Sequence, residues 1–226
     1  MIDSFEITEA FVWIPWLIGG IVGMVGLFIV IGILAAEDAK NIAILGMDRS
    51  GKSTLWEKLG GPKATPNTQV SGIPEFQLTR PDGSTVTIKR TKDIGGGDGY
   101  VRLYDELIIP STFVYFLVDI TRFEEKNYAL RMRSNLTKIG KVLDEKKISN
   151  EEFGFKIIIT HCDIYRNAHP EATDEYICQY CIDKLKTEKL SGKIGETLRK
   201  DTTKFMMPVN LMDNNDINRI KMEIKI

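Results

Sequence analysis

Residues 41–53 read NIAILGMDRSGKS, an apolar run that leads directly into a glycine-rich loop. The part from Gly46 to Ser53 matches the pattern G-x-x-x-x-G-K-[ST]. In that pattern backbone N–H groups converge on phosphate oxygens, the lysine adds positive charge and the serine hydroxyl reaches Mg²⁺. Helix-forming residues follow at once, so the phosphates would also meet a helix N-terminus. The stretch therefore predicts a strand, a phosphate-binding loop and a helix, in that order.

The residues expected to hold the phosphates all lie in this loop or just after it. They are Gly46, Asp48, Arg49, Ser50, Gly51, Lys52, Ser53 and Thr54. Lys52 is the expected source of positive charge, and Ser53 is the expected magnesium ligand. Two interpretations are open for Arg49, which either leans over the phosphates or points into solvent.

A long apolar segment precedes the loop. Residues 11–36 contain no charged residue, and a helix needs roughly 20 apolar residues to cross a bilayer. Residues 1–10 carry acidic residues but no lysine or arginine, unlike the basic start of a cleavable signal peptide. We therefore expect residues 1–10 outside the cytosol, a single transmembrane helix at 11–36, a linker at 37–40 and a cytosolic domain at 41–226. The alternative for the segment is a buried core helix.

Short β-type runs alternate with helical patterns through the rest of the chain. Residues 73–78 and 85–89 flank the turn sequence Pro81-Asp82-Gly83-Ser84 and predict a hairpin. Residues 113–118 and 155–159 are mostly apolar, as expected for strands buried on both faces of a parallel sheet. The predicted helical segments are 126–146, 174–188, 192–203 and 216–226. In the first of them, Leu130, Leu136, Ile139, Val142 and Leu143 recur at helical spacing. The predicted fold is α/β, a three-layer sandwich with a mostly parallel sheet and one antiparallel hairpin.

Composition limits the function classes. The 226 residues suit one soluble domain plus one anchor. Lys and Arg number 30 against 31 for Asp and Glu, so no nucleic-acid contact is expected from the charge balance. Cys178 and Cys181 have metal-like spacing, with His161, Cys162 and His169 nearby in the chain. The alternatives are a zinc site and reduced cytosolic thiols, and the second is favoured because a second ligand pair at clean spacing is missing.

Four short motifs follow the phosphate loop. They are Asp93-Ile94-Gly95-Gly96, Val118-Asp119-Ile120-Thr121-Arg122, Thr160-His161-Cys162-Asp163 and Pro208-Val209-Asn210-Leu211. In order and spacing they resemble the motifs of Ras-like small GTPases over roughly residues 40–212. The double glycine after Asp93 is most similar to the branch that contains Arf and the signal recognition particle receptor β subunit. That β subunit also joins one membrane helix to such a domain.

This resemblance implies a guanine nucleotide site for GTP or GDP with Mg²⁺. It places Asp163 on the guanine N1–H and amine, with Thr160 and His161 beside it and Asn210 and Leu211 closing over the base. It also implies that Asp93 reaches Mg²⁺ through water and that the Gly96 amide senses the γ-phosphate. A threonine that closes onto Mg²⁺ and the γ-phosphate should precede the hairpin; Thr68 is the choice and Thr65 the alternative.

Two residues depart from the family pattern. His161 stands where the family carries a base-stacking lysine, and it is shorter and mostly neutral near pH 7. Gly97 stands where the family usually has the glutamine that orients the attacking water. Asp98 and Arg102 either substitute in part or belong to a flexible switch loop. Unassisted hydrolysis, which would depend on Lys52, Gly96 and Thr68, should therefore be slow.

The sequence thus favours a membrane-anchored GTP-binding protein. It would be a slow GTPase switch or a nucleotide-dependent receptor that recruits a protein partner to the membrane. One alternative is a P-loop ATPase or phosphotransferase, with the resemblance at Asp163 accidental. The other is a nucleotide-locked pseudo-GTPase, indicated by Gly97 and His161.

Overall fold

The computed structural model describes residues 39–63, 69–145, 154–185, 190, 194–195, 198 and 202–224. The chain divides into two units, Met1–Ala39 and Lys40–Ile226. The segments predicted at 1–10 and 11–36 lie outside the described residues, as do Thr65 and Thr68. Within the described ranges, no helix is long and apolar enough to cross a membrane.

Strands and helices alternate along the described residues, and all of them except Ala39 lie in the second unit. The strands are β1 Ala39–Lys40, β2 Ile42–Gly46, β3 Val70–Ile73, β4 Phe76–Thr79, β5 Thr85–Ile88, β6 Thr91–Ile94, β7 Phe113–Asp119, β8 Gly154–Thr160 and β9 Met206–Pro208. The helices are α1 Lys52–Leu59, α2 Tyr104–Ile108, α3 Tyr128–Glu145, α4 Cys162–Ala168, α5 Asp174–Leu185, α6 Thr202–Phe205 and α7 Asn214–Glu223. Short 3₁₀ helices lie at Asp98–Leu103 and Ile120–Arg122.

The centre of the unit is a parallel sheet in the order β2-β7-β8-β9. The apolar runs predicted as buried strands form β7 and β8, whose apolar residues are all buried. β1, separated from β2 by Asn41 alone, pairs with β5 and so connects the sheet to the hairpin. The carboxyl ends of these parallel strands meet at one edge, and the loops of the candidate site leave from that edge.

The predicted hairpin is confirmed and is longer than its sequence signal. β3 pairs with β6 and β4 with β5, both antiparallel. Val70 lies opposite Ile94 and Thr79 opposite Thr85, so one register runs through the interruptions in both strands. At the turn, Asp82 Oδ1 accepts a hydrogen bond from the Ser84 N–H at 2.9 Å. This hairpin delivers Asp93, on β6, to the same edge of the sheet as the phosphate loop.

Both faces of the sheet are buried, which makes three layers. Side chains alternate along β2: Ala43 and Leu45 join one apolar cluster, whereas Ile42 and Ile44 join the other. The first cluster packs under α2, α3 and α5, and the second under α1, α7 and the hairpin. The predicted three-layer α/β sandwich is therefore present in the described residues.

One helix differs from its sequence pattern in detail. The segment predicted at 126–146 forms α3, and its expected core positions are buried except Leu130, whose exposure is 57%. Tyr128 and Met132 face the core instead. Leu130 follows Tyr128 by two positions, which turns it by about 200° to the opposite side of the helix. The prediction for Leu130 was wrong because Tyr128 and Met132 set the buried stripe.

Candidate functional site

The phosphate loop is held in shape by strained or close-packed glycines. Gly46 has φ 142°, and a Cβ there would lie 2.3 Å from the Leu117 carbonyl oxygen. Gly51 has φ 87° and leads into α1. Both positions require conformations that favour glycine. The loop therefore adopts the compact turn that the sequence pattern predicts between β2 and α1.

Lys52 lies inside the loop rather than in solvent. Its Nζ donates to the Met47 carbonyl at 2.7 Å, and Ser50 Oγ donates to the same oxygen at 2.8 Å. Only 6% of the Lys52 residue is exposed. Burial lowers the pKa of its ammonium group to about 8, although Asp93 and Asp48 act in the opposite direction. A buried ammonium with acidic neighbours and one neutral acceptor is suited to receive a phosphate.

Ser53 and Asp93 form a pair suited to Mg²⁺. Ser53 Oγ donates to Asp93 Oδ2 at 2.5 Å. The other carboxylate oxygen, Oδ1, is buried and has no hydrogen-bond partner among the described residues. Burial raises the pKa of Asp93, opposed by the Ser53 hydrogen bond and by the charge of Lys52. Oxygen ligands and an unsatisfied buried carboxylate oxygen fit a hard divalent cation, which Ser53 and Asp93 would hold together.

Gly96 lies directly against the phosphate loop. A Cβ at this position would be 2.2 Å from the Asp48 backbone nitrogen and 2.3 Å from the Met47 carbonyl carbon. No side chain can occupy such space without moving backbone. The loop after β6 therefore approaches the phosphate loop at a position that only glycine fits.

If the site binds GTP and GDP, as the sequence predicts, Gly96→Ala is expected to separate the two loops and to weaken GTP binding relative to GDP binding. Overpacking of about 1–3 kcal/mol corresponds to a change of roughly 5- to 150-fold in the ratio of the two affinities. Competition binding with GDP and a non-hydrolysable GTP analogue measures that ratio. Gly99→Ala is the matched control, because a Cβ at Gly99 meets no described residue within 4 Å. An unchanged ratio in Gly96→Ala would show that the contact is irrelevant to the γ-phosphate.

Arg122, which was not among the residues expected in the site, also binds the phosphate loop. Arg122 Nη1 donates to the Asp48 carbonyl at 2.8 Å, while Nε and Nη2 bind the Glu125 carboxylate at 2.7 and 2.8 Å. A planar peptide directs its C=O and N–H to opposite sides. Anchoring the Asp48 carbonyl therefore fixes the direction of the Arg49 N–H. Arg122 is the last residue of the Val118–Arg122 motif, and nothing in the order of residues along the chain indicates that it reaches Asp48.

The loop after β8 is joined to the phosphate loop. Thr160 Oγ1 donates to the Ser50 carbonyl at 3.1 Å and lies 3.0 Å from the Val118 carbonyl. His161 follows with φ 59° and precedes the first turn of α4, where Asp163 is exposed. The structure thus brings the Thr160–Asp163 motif beside the phosphate loop, although the two lie far apart in sequence.

The last motif closes the same edge. Leu211 is 7% exposed, and a Cβ on Gly51 would lie 2.6 Å from its Cδ1. The Asn210 N–H donates to Asp216 Oδ2 at 2.7 Å, and its own side-chain Oδ1 accepts from the Met212 N–H at 2.9 Å. Asn210 is therefore a loop-shaping residue in this structure, and Leu211 packs beside the phosphate loop.

The remaining predicted residues take less specific positions. The Arg49 side chain is 82% exposed and lies 3.8 Å from the Asp48 carboxylate, which favours the solvated alternative. Thr54 lies half-buried in the first turn of α1. Asp98 is bound to Arg131 at 2.9 Å. Thr68, the residue predicted to contact Mg²⁺ and the γ-phosphate, lies outside the described residues.

The cysteines are buried thiols. Burial raises the pKa of Cys162 to about 12 and that of Cys178 to about 11, and it raises that of Cys181 well above 9. In the part of the chain that the structure describes, no group of three or more His, Cys, Asp or Glu side chains could hold a metal ion. These thiols pack in the core cluster of α3 and α5.

Comparison with known proteins supports the fold. No protein-family model matches the chain, and no curated protein matches it by sequence. A chain from the structure of the mammalian SRP receptor superposes with a TM-score of 0.53 at 16% identity, over 82% of this chain and 100% of that one. The chain has the fold of a P-loop GTPase. A bacterial selenocysteine-specific elongation factor, EF-Sec, matches with a TM-score of 0.46 at 14% identity, over 82% of this chain and 28% of that factor.

Within this GTPase fold, the expected residues fall into three groups at one edge of the sheet. The phosphate loop with Lys52 makes the first group, and Ser53 with Asp93 makes the second. The Thr160–Asp163 segment and the loop of Leu211 make the third. Each group has a contact with the phosphate loop or lies on it.

Proposed function

We propose that this protein is a membrane-anchored GTP-binding protein that acts as a slow GTPase switch or as a nucleotide-dependent receptor for a protein partner. The observation that carries the proposal is the hydrogen bond from Thr160 Oγ1 to the Ser50 carbonyl. It joins the loop of Asp163 to the loop of Lys52, so one ligand with a base at one end and phosphates at the other fits both. A guanine nucleotide has that shape and offers Asp163 two N–H donors.

Each part of such a nucleotide has a counterpart. The buried ammonium of Lys52 would take the phosphates, and Ser53 with the unpartnered Oδ1 of Asp93 would hold Mg²⁺. The exposed Asp163 carboxylate would accept from the base, while Leu211 limits the space beside Gly51. The magnesium ion would neutralise phosphate charge, and the chain's own groups would orient the nucleotide.

The anchor is proposed from sequence. Residues 11–36 are uncharged and long enough to cross a bilayer. The absence of lysine and arginine from residues 1–10 supports an N-terminus outside the cytosol. A nucleotide site facing the cytosol, close in sequence to this segment, suits a protein that recruits a partner to the membrane.

The test is competition for a fluorescent GDP bound to the full chain in detergent micelles. Unlabelled GDP and GTP should displace it in the presence of Mg²⁺, whereas ATP should compete far more weakly, because adenine lacks the N1–H that Asp163 would accept. Removal of Mg²⁺ with EDTA should weaken the binding of GTP more than the binding of GDP. Equal competition by ATP and GTP would exclude the guanine nucleotide proposal and favour the ATPase alternative.

A nucleotide-locked receptor is the second candidate, and Gly97 favours it. Its backbone is extended, with φ −76° and ψ 158°, and among the described residues a Cβ there would meet only the Tyr100 ring, at 3.8 Å. A side chain therefore fits at this position without backbone strain, yet glycine itself supplies no group to orient water.

Gly97→Gln is expected to accelerate single-turnover GTP hydrolysis, roughly tenfold or more, by restoring a water-positioning group. Gly99→Gln controls for a glutamine in the same loop. Acceleration by Gly97→Gln alone would show that a missing group limits turnover and would support the slow switch. No hydrolysis in either variant, with GTP tightly bound, would support the locked receptor.

A further inference from the structure

His161 has a carboxylate partner that fixes its ring. Its Nδ1 lies 3.3 Å from Asp119 Oδ1 and 3.1 Å from Thr160 Oγ1. The Asp119 side chain is 8% exposed, and that of His161 is 34% exposed. Asp119 ends β7, next to the strand end that carries Thr160. The imidazole is therefore anchored from the sheet edge through one ring nitrogen and remains partly open to ligands.

Asp119 is itself held firmly. Its Oδ1 accepts from the Thr121 N–H at 3.0 Å and from the Thr121 hydroxyl at 2.6 Å. Its own N–H donates to the Tyr128 hydroxyl at 2.8 Å. The carboxylate therefore cannot turn away from His161 without losing the two bonds from Thr121, and the Tyr128 bond holds the backbone of Asp119 in place. A fixed anion beside an imidazole stabilises the charged imidazolium.

The charges that act on His161 are acidic. The hydrogen bond to Asp119 is the main cause that raises the pKa of His161; partial burial opposes it, and the charges of Asp119 and Asp163 add to it. On the Asp119 side, burial would raise the pKa, but hydrogen bonds with His161 and Thr121 lower it overall. Both directions agree with a pair in which the proton is on the imidazole.

We propose that Asp119 positions His161 as a protonated, cationic platform for the purine face, so that guanine nucleotide affinity increases as the pH falls. The inference rests on the proposed function, since it concerns the base end of the same site. His161 lies two residues before Asp163, the residue that would accept from the base edge. A cation held over an electron-rich ring is attracted to its face. Asp119 acts through His161 and is a positioning residue.

The sign of the pH dependence follows from linkage. If the purine face favours the imidazolium, the nucleotide raises the pKa of His161 further. Affinity is then highest below the pKa of the free protein, falls as the pH rises, and is constant again above the pKa of the complex. A gain of about tenfold at the acidic limit lies in the range of cation–π contacts.

The experiment measures GDP affinity of the full chain in detergent between about pH 5.5 and 8.5, which spans the ordinary histidine pKa. His161→Lys keeps a permanent cation, so its profile contains the titration of the phosphates and of Lys52 but not that of a histidine. Dividing the wild-type affinity at each pH by that of His161→Lys leaves the part of the pH dependence that comes from His161. His161→Gln removes the cation, Asp119→Asn removes the carboxylate, and His169→Gln alters the other histidine of the chain.

We expect the corrected affinity of wild type and of His169→Gln to fall about tenfold as the pH rises. His161→Gln should bind weakly with no such fall, and in Asp119→Asn the fall should move to lower pH. A flat corrected wild-type profile, or a His161→Gln profile with the same fall, overturns the inference and leaves the proposed function standing. Absence of GDP binding by wild type at every pH overturns both.

A second readout is made on wild type and uses a variant only to assign the signal. In wild type labelled with ¹³C-histidine, NMR gives the pKa of His161, whose signal is the one that remains in His169→Gln. Addition of GDP should move that pKa upward. A pKa that is unchanged or lowered by GDP overturns the proposal.

Discussion

Lys52→Ala is expected to weaken both GDP and GTP binding by about 100-fold or more. Truncating one partner of a buried, charged hydrogen bond costs about 2–5 kcal/mol, and about 2.7 kcal/mol corresponds to 100-fold. In this protein the ammonium group is almost fully buried and already faces a loop oxygen, the Met47 carbonyl. Competition binding on the full chain in detergent measures the loss.

The matched control for Lys52 is Lys58→Ala, in the last turn of the same helix α1. It removes an equal charge without touching the loop, so the affinity should change by less than about twofold. Membrane retention of Lys52→Ala on carbonate extraction should equal that of wild type, because the proposed anchor acts independently. Normal nucleotide affinity in Lys52→Ala would contradict the assignment of the phosphate site.

Asp163→Asn is expected to lower GTP affinity by about 100-fold or more and to create affinity for xanthosine triphosphate. Each hydrogen bond to a charged group is worth about 1.5–3 kcal/mol, and guanine would give two of them to this carboxylate. Xanthine carries a carbonyl where guanine carries its amine, so an asparagine NH₂ would match it. Competition binding with GTP, ATP and xanthosine triphosphate measures this change in nucleotide preference.

Asp183→Asn serves as the control for Asp163, since Asp183 is exposed on α5 and bonds only Gln179 among its described contacts. It should leave the nucleotide preference unchanged. A loss of GTP binding without any gain for xanthosine triphosphate would argue that Asp163 supports the loop rather than the base. Unchanged GTP binding would argue that the base lies elsewhere.

The local elements near the phosphate loop could be predicted well from sequence. The pattern from Gly46 to Ser53 demands a turn with positive φ at glycine between a strand and a helix, and the structure has it. The turn residues Pro81–Ser84 predicted the hairpin, but they did not predict how far its two strands extend. β3 and β6 consist of short, partly exposed strands with weak alternation, so only the pairing itself reveals their common register.

The contacts between motifs could not be predicted from order in the chain. Arg122 reaches Asp48 because β7 lies beside β2, and His161 meets Asp119 because β8 lies beside β7. The sequence does not determine the order of the strands in the sheet, so nothing in it indicates that these residues are neighbours. For the same reason, His161 was interpreted as a mostly neutral replacement of lysine, whereas the Asp119 carboxylate raises its pKa.

The most direct measurement of the central claim is a crystal structure of the full chain with a non-hydrolysable GTP analogue and Mg²⁺. We expect Mg²⁺ on Ser53 Oγ with Asp93 facing it, phosphates on Lys52, and the guanine edge on the Asp163 carboxylate. His161 should lie on the purine face with its Nδ1 still on Asp119. A nucleotide whose base lies away from Asp163, or a metal bound away from Ser53 and Asp93, would contradict the account.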